Sequence, residues 1–336
     1  MSAPFSYVRL TDNADAVLDT ATAGTQLIAG GTTLIDLMRL GVMAPARVID
    51  INHLPLTAIE QTAPGKLSIG ALARNSDTAQ HPLVRRHFPA LSEALLSGAS
   101  PQLRNMATTG GNLMQRTRCA YFRDVGVAAC NKRNPGSGCA AFDGHARQHA
   151  ILGGSRDCIA VHPSDMCVAL VALDAVVHVR GRYGTAGDGV TERSIPMADF
   201  HLLPGATPER ETSVGPGELI THVTLPVTPL AARSAYVKAR DRASFAFALA
   251  SAAVALQIDG GRIHAARVAL GGVATKPWRS VAAEEALVGR EATMATFEKA
   301  ATAALASAQP RPDNRFKVPL ASATIVRALE RARGLA

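Results

Sequence analysis

At 336 residues, with 47% hydrophobic and 18% charged side chains, the chain exceeds one ordinary domain, and two or three domains around a large core are expected. The net charge of +8 comes from scattered basic residues, aromatics make up only 4%, and no basic stripe is interleaved with aromatics; this argues against nucleic-acid binding and points to an acidic partner subunit or an anionic cofactor. No apolar run reaches the roughly 20 residues of a membrane helix, so no membrane insertion is expected, and residues 1–24 lack the basic start and apolar stretch of a signal peptide.

The first unit reads as β-α-β. TQLIAGG (25–31) is a short apolar run ending on two glycines, and TTLIDLMRLG (32–41) carries Leu34, Ile35, Leu37 and Met38 as a helical stripe with Gly41 as C-cap. ARVIDI (46–51) and KLSIGAL (66–72) read as strands. One helix is expected over 75–99, opened by Ser76 or Asp77 as N-cap. SPQLRNMATTGGNL (100–113) is rich in turn residues and leads into an irregular stretch containing Cys119, Cys130, Cys139 and Cys158.

PSDMCVALVALDA (163–175) reads as a buried helix with Pro163 in its first turn. AVVHVRGR (175–182) alternates as a strand into a GTAGDG turn, and GELITHVTLP (217–226) is another strand. Beyond the Pro-rich 223–233 the texture changes. SAYVKARD, ASAAVALQID and RIHAARVALGGVA read as three strands, the last two joined by a hairpin at Asp259-Gly260-Gly261. Helices follow at 281–289, 295–308 and 323–335. The fold class is therefore α+β.

Several segments carry chemistry. Ala29–Thr33 (AGGTT) sits between a strand and a helix, where glycines admit a ligand and free N–H groups favour a pyrophosphate; a tight turn needs glycine as well. TTGGNL, Thr108–Leu113, is a second such loop, and two of them suit a long anionic dinucleotide. Asp165 either complements the dipole of its helix or accepts from a ribose or adenine group. The four clustered cysteines are separated by ten, eight and eighteen residues, with no CxxC pair. That spacing fits zinc fingers poorly, whereas long loops can wrap a [4Fe–4S] cluster. The same stretch is basic, with Arg116, Arg118, Arg123, Lys132, Arg133, Arg147 and Arg156 against Asp124, Asp143 and Asp157, as an anionic thiolate cluster favours. Zinc held by some of the cysteines plus His145 or His149, and unliganded buried thiols, stand beside it. A disulfide framework is disfavoured by the odd total of five cysteines. Cys167 lies on an apolar helix face and reads as a small hydrophobe. The remaining histidines are dispersed, with neither a Ser-His-Asp pattern nor HExxH.

In their order and spacing, AGGTTLIDLM, TGGNL and SDMCVALVALDA resemble the FAD-binding medium subunit of the molybdenum hydroxylases, the family of xanthine dehydrogenase, carbon monoxide dehydrogenase and aldehyde oxidoreductase. The roughly forty residues between the second loop and the Ser-Asp helix are an insertion relative to the usual form. They resemble those of two branches with an extra [4Fe–4S] cluster, the periplasmic aldehyde oxidoreductase FAD subunit and the β subunit of 4-hydroxybenzoyl-CoA reductase. RCAYFRD, ACNKRNPGSGCAA, RQHA, CIAVHPSDM and RDRASFAFALAS are nearer to the first.

The resemblance implies a vanillyl-alcohol-oxidase-like (PCMH-type) two-part FAD-binding domain over 1–228, with parts 1–60 and 61–228 and an iron–sulfur insert at about 116–160. A C-terminal domain over 229–336 would have a three-stranded antiparallel sheet with helices. Leu27, Ile28, Ala29, Gly30, Gly31, Thr32 and Thr33 would hold the FAD pyrophosphate; Thr108, Gly110, Gly111 and Asn112 would form the second cofactor loop. Asp165 would contact the adenosine half, Ile220 would pack near the flavin, and Lys238 would sit at the isoalloxazine edge or be a solvated strand lysine. Cys119, Cys130, Cys139 and Cys158 would ligate the cluster. The chain would contain no residue catalytic on the organic substrate. A molybdenum subunit would oxidise it, a [2Fe–2S] subunit would pass electrons on, and FAD would deliver them to an external acceptor. The expected compartment is the periplasm, reached by export on a signal-bearing partner, with the cytoplasm as the alternative; a zinc-stapled structural subunit is the alternative of another class.

Overall fold

The computed structural model describes residues 3–11, 22–63, 65–182 and 190–334. The GTAGDG turn lies outside the described residues.

Strands β1 (Ser6–Arg9), β2 (Thr25–Ile28) and β3 (Arg47–Asp50) form a parallel sheet ordered β1-β3-β2. The Leu34–Arg39 helix makes the crossover that a parallel pair requires, burying Leu37 and Met38. Gly41 follows it at φ 72°, a left-handed position where glycine carries no Cβ penalty. β1 was not expected from the sequence; it is largely exposed and so carries no alternation of apolar residues.

The second layer is a five-stranded sheet ordered β4-β5-β8-β6-β7: β4 (Ile59–Ala63), β5 (Lys66–Gly70), β6 (Val176–Arg182), β7 (Val190–Pro196) and β8 (Leu219–Pro226). All its pairings are antiparallel. Its inner face supplies Leu67, Ile69, Val177, Val223 and Leu225 to a core closed by Phe88, Leu91 and Leu170 from the helices above. The single helix expected over 75–99 is three helices, Asn75–Gln80, Pro82–His87 and Pro89–Ser97. Pro82 and Pro89 each lack an N–H and disfavour helical geometry in the residue before them, so each starts a new helix. The first of these helices is capped at Arg74, not at Ser76 or Asp77.

The C-terminal sheet has four strands rather than three, ordered β12-β11-β10-β9: β9 (Ser234–Ala239), β10 (Ala250–Asp259), β11 (Arg262–Gly271) and β12 (Trp278–Arg279). A two-residue strand is too short to leave a periodic signal. Gly260 and Gly261 turn β10 into β11 at φ 54° and 78°, as the Asp-Gly-Gly hairpin required. Helices Val281–Leu287, Met294–Ala304 and Lys317–Gly334 cover one face, burying Leu256, Val268, Phe297, Ile325 and Leu329 together.

The cysteine-bearing stretch has one short helix, Ala120–Arg123, and is otherwise held by loop hydrogen bonds. Asn131 N–H donates to Gly138 O at 2.7 Å and Ala140 N–H to Ala129 O at 2.9 Å, placing Cys130 opposite Cys139. The Arg133 guanidinium donates to the carbonyls of Tyr121 and Phe122, at 2.9 and 2.7 Å, and ties that turn to the helix.

Candidate functional site

The two glycine loops lie against each other. A Cβ on Gly30 would stand 1.9 Å from the Met106 carbonyl oxygen, so only glycine lets the first loop meet the backbone that leads into the second. Gly31, at φ 70°, turns the chain into the helix. The close approach that these glycines permit is therefore loop to loop. Thr32 and Thr33 N–H donate to no acceptor among the described residues and remain available to an anion. In the second loop the donors are used: Thr109 N–H bonds Ala73 O at 3.0 Å, Gly110 N–H bonds Ala71 O at 2.7 Å, and Thr108 caps the turn through Gly111 N–H at 3.2 Å.

Two open clefts meet at these loops, and Thr32, Thr33, Gly111 and Gln115 line both, so they form one continuous groove. Leu27, Ile28, Ala29, Gly30, Gly31 and Thr108 line the first arm; Asn112, Asp165 and Lys238 line the second. Gly110 and Ile220 line neither. Gly110 backs onto Ala71, and Ile220 is 7% exposed and packs in the sheet core. The side chains of Arg104, Arg118, Arg123, Arg147, Arg242 and Lys238 line the second arm against Asp36, Asp165 and Asp241. This excess of cations suits a pyrophosphate-bearing ligand.

Asp165 and Lys238 do not stand at opposite ends of the groove. Lys238 Nζ lies 2.7 Å from Asp165 Oδ2, and Tyr236 Oη donates to Oδ1 at 2.5 Å. Lys238 is 3% exposed and is no solvated strand lysine. Burial first, and the Asp165 carboxylate second, push the Tyr236 hydroxyl well above its ordinary range, keeping it a donor. Tyr236 was missed in the sequence, although it sits two residues from Lys238 on the same face of β9. Helix geometry positions the carboxylate: Ser164, not Pro163, opens Asp165–Ala172, its hydroxyl accepting Cys167 N–H at 3.1 Å.

Cys119, Cys130, Cys139 and Cys158 converge on one small cavity, together with Tyr121, Phe122, Lys132 and His149. All four are free thiols. Burial raises the Cys119 thiol to about 11 and also raises Cys139 and Cys158, so metal-free thiolates are disfavoured and a metal would displace their protons. A tetrahedral zinc with Zn–S bonds of about 2.3 Å needs sulfurs about 3.8 Å apart. Among the described residues no three of these sulfurs, with or without His149, lie within 4.8 Å of one another.

His149 Nε2 is 3.2 Å from Cys119 Sγ, and these two residues line both the cavity and the second arm of the groove. His145 lines the groove only. The basic character of the insert has a different origin from the one expected. Arg118 and Arg123 pair with Asp36, and Arg147 pairs with Asp241. Of the insert's cations, Lys132 lines the cavity; its ammonium is 3.1 Å from Glu211 Oε1. Cys167 is outside the cavity, fully buried in its helix, with its thiol pushed up to about 12 by burial. Its nearest ligand-type neighbours are His162 and His201, and His201 Nε2 is already bonded to the Leu113 carbonyl at 2.9 Å.

Residues 3–228 match the family described as the FAD binding domain in molybdopterin dehydrogenase, and residues 234–332 match the CO dehydrogenase flavoprotein C-terminal domain. The chain is 52% identical over 334 residues to the aldehyde oxidoreductase FAD-binding subunit PaoB of Escherichia coli K12, covering 99% of each. It is 27% identical to the glyceraldehyde dehydrogenase medium chain of Sulfolobus acidocaldarius, covering 93% of this chain and 90% of that one. Among solved structures, carbon monoxide dehydrogenase from Hydrogenophaga pseudoflava matches with a TM-score of 0.77 at 25% identity, covering 100% of this chain and 99% of that one. Two loops that close one groove, and a family match spanning nearly all of the sequence, place this chain in the FAD-binding medium-subunit family of the molybdenum hydroxylases.

Proposed function

We propose that this chain is the electron-transfer flavoprotein subunit of a heterotrimeric, molybdenum-containing aldehyde oxidoreductase. The observation that carries the reading is the pairing of the AGGTT and TTGGNL loops along one cation-lined groove, with a four-thiol cavity sharing its wall. The 52% identity to an aldehyde oxidoreductase subunit supports the choice of branch over the 4-hydroxybenzoyl-CoA reductase type.

FAD, when bound, supplies an acceptor that joins single-electron donors to a two-electron product. The chain's own residues hold it. Thr32 and Thr33 offer N–H groups to the pyrophosphate, Arg104 and Arg118 surround it with positive charge, and the Asp165–Lys238 pair presents one rigid polar edge to the second arm. Cys119, Cys130, Cys139 and Cys158 would hold a [4Fe–4S] cluster, which supplies a one-electron site. The four thiols gathered on one cavity support this reading.

The partners in this reading are a molybdenum-cofactor large subunit, where the aldehyde is oxidised, and a small [2Fe–2S] subunit. No helix among the described residues is long and apolar enough to cross a membrane. We assign the complex to the periplasm, exported folded on a signal-bearing partner. The test is composition: the purified protein should release FAD on denaturation and carry about four iron and four sulfide per chain beyond those of the [2Fe–2S] subunit. One zinc with no such iron would sink the cluster, and absence of flavin would sink the whole reading.

A further inference from the structure

A segment of the C-terminal domain clasps the cysteine insert from behind. Asp313 Oδ2 accepts Ala146 N–H at 2.8 Å, and Asn314 Nδ2 donates to the carbonyls of Ala146 and His149 at 3.2 and 3.3 Å. Lys317, the first residue of the last helix, reaches deeper. Its ammonium donates to His149 O at 3.0 Å and to Gly272 O at 2.7 Å. The side chain is 0% exposed, and no carboxylate forms an ion pair with it among the described residues. Burying an ammonium without a carboxylate partner is costly, and both of its acceptors are neutral carbonyls. The group next to it is His149, whose ring stands 3.2 Å from Cys119 Sγ in the wall of the four-thiol cavity.

We propose that Lys317 is the positioning residue of the four-cysteine centre: it pins the His149 backbone behind Cys119 and adds, to a Lys132 that is already paired with Glu211, a buried positive charge with no carboxylate partner. A [4Fe–4S] core with four thiolates carries a formal charge of about −2, and one more negative charge when reduced. A cation held in low dielectric stabilises the reduced form more than the oxidised one and raises the reduction potential. Burial lowers the Lys317 ammonium to about 7 in the metal-free chain, and a neighbouring anion favours its charged form.

The inference rests on the cluster reading above, and the test separates the two. The iron of the native complex in excess of that held by the [2Fe–2S] subunit, and the midpoint potential of the [4Fe–4S] signal, are measured first; a complex with no such excess iron fails the cluster reading itself. Lys317→Met and Lys317→Gln remove the charge, and Gln keeps a donor toward the carbonyls. Both should keep iron and shift the midpoint negative by about 59 mV, a tenfold change in a one-electron equilibrium. Lys317→Arg should stay near the native potential. Loss of iron in both neutral variants with retention in Lys317→Arg also supports the proposal. An unchanged potential in either neutral variant, or loss of iron in all three, overturns it.

Discussion

Lys238 Nζ sits 2.7 Å from Asp165 Oδ2, joining the second strand-helix unit to the C-terminal sheet across the floor of the groove. Both side chains are buried, so neither ion is screened by water, and each depends on the other. The Tyr236 hydroxyl completes the carboxylate's partners. A domain contact and a ligand-facing edge are thus one structure.

Lys238→Met should leave a buried carboxylate unpaired and destabilise the protein by about 3–5 kcal/mol. Combining it with Asp165→Asn should recover most of that loss. Denaturant unfolding of the two variants checks it; a single variant within about 1 kcal/mol of the native protein would contradict the pairing.

Gly30→Ala puts a methyl group 1.9 Å from the Met106 carbonyl oxygen, a backbone atom with no room to retreat. The loops must separate, at a cost of about 1–3 kcal/mol or more. The expected outcome is loss of most bound flavin from the purified protein, read from its visible absorbance. Retention of full flavin content would refute the loop-to-loop role.

Cys130→Ser should abolish the visible absorption of the [4Fe–4S] cluster, leaving that of the [2Fe–2S] subunit, because Cys130 lines the four-thiol cavity. Cys167→Ala should keep it, because that thiol is outside the cavity and protonated. The reverse pattern in iron analysis would overturn the ligand assignment.

His201 is buried, and burial holds its imidazole at about 4, below the ordinary 6.5. The unfolded chain therefore binds a proton that the folded chain refuses. This contribution to stability is complete above about pH 6.5 and is lost as pH falls toward 4, by about 3 kcal/mol in all. Burial lowers His162, packed against it, in the same sense. His201→Gln should flatten the acid-side fall in unfolding free energy; an unaltered slope would show that this imidazole does not control it.

The strand and helix order was largely readable because local signals carry it: alternation in β6, the stripe of the Leu34–Arg39 helix, and the Asp259-Gly260-Gly261 turn all act within a few residues. The split of the 75–99 helix was also written locally, in Pro82 and Pro89, and was overlooked against a strong apolar pattern. β1 and β12 were hidden, since short or exposed strands exist only through their partners.

By itself the sequence determined which residues can bind: two glycine loops, an acidic helix start and four thiols, because residue type sets chemistry. Which of them act together was decided by tertiary structure. Long-range packing joined Asp165 to Lys238 instead of separating them, turned Ile220 into the core, and set Gly110 against Ala71 and Gly30 against Met106. It also spread the four sulfurs around one cavity and placed Lys317 behind it, 168 residues from His149 in the chain. Such contacts depend on distances between distant segments, and no local pattern of residue types encodes those distances.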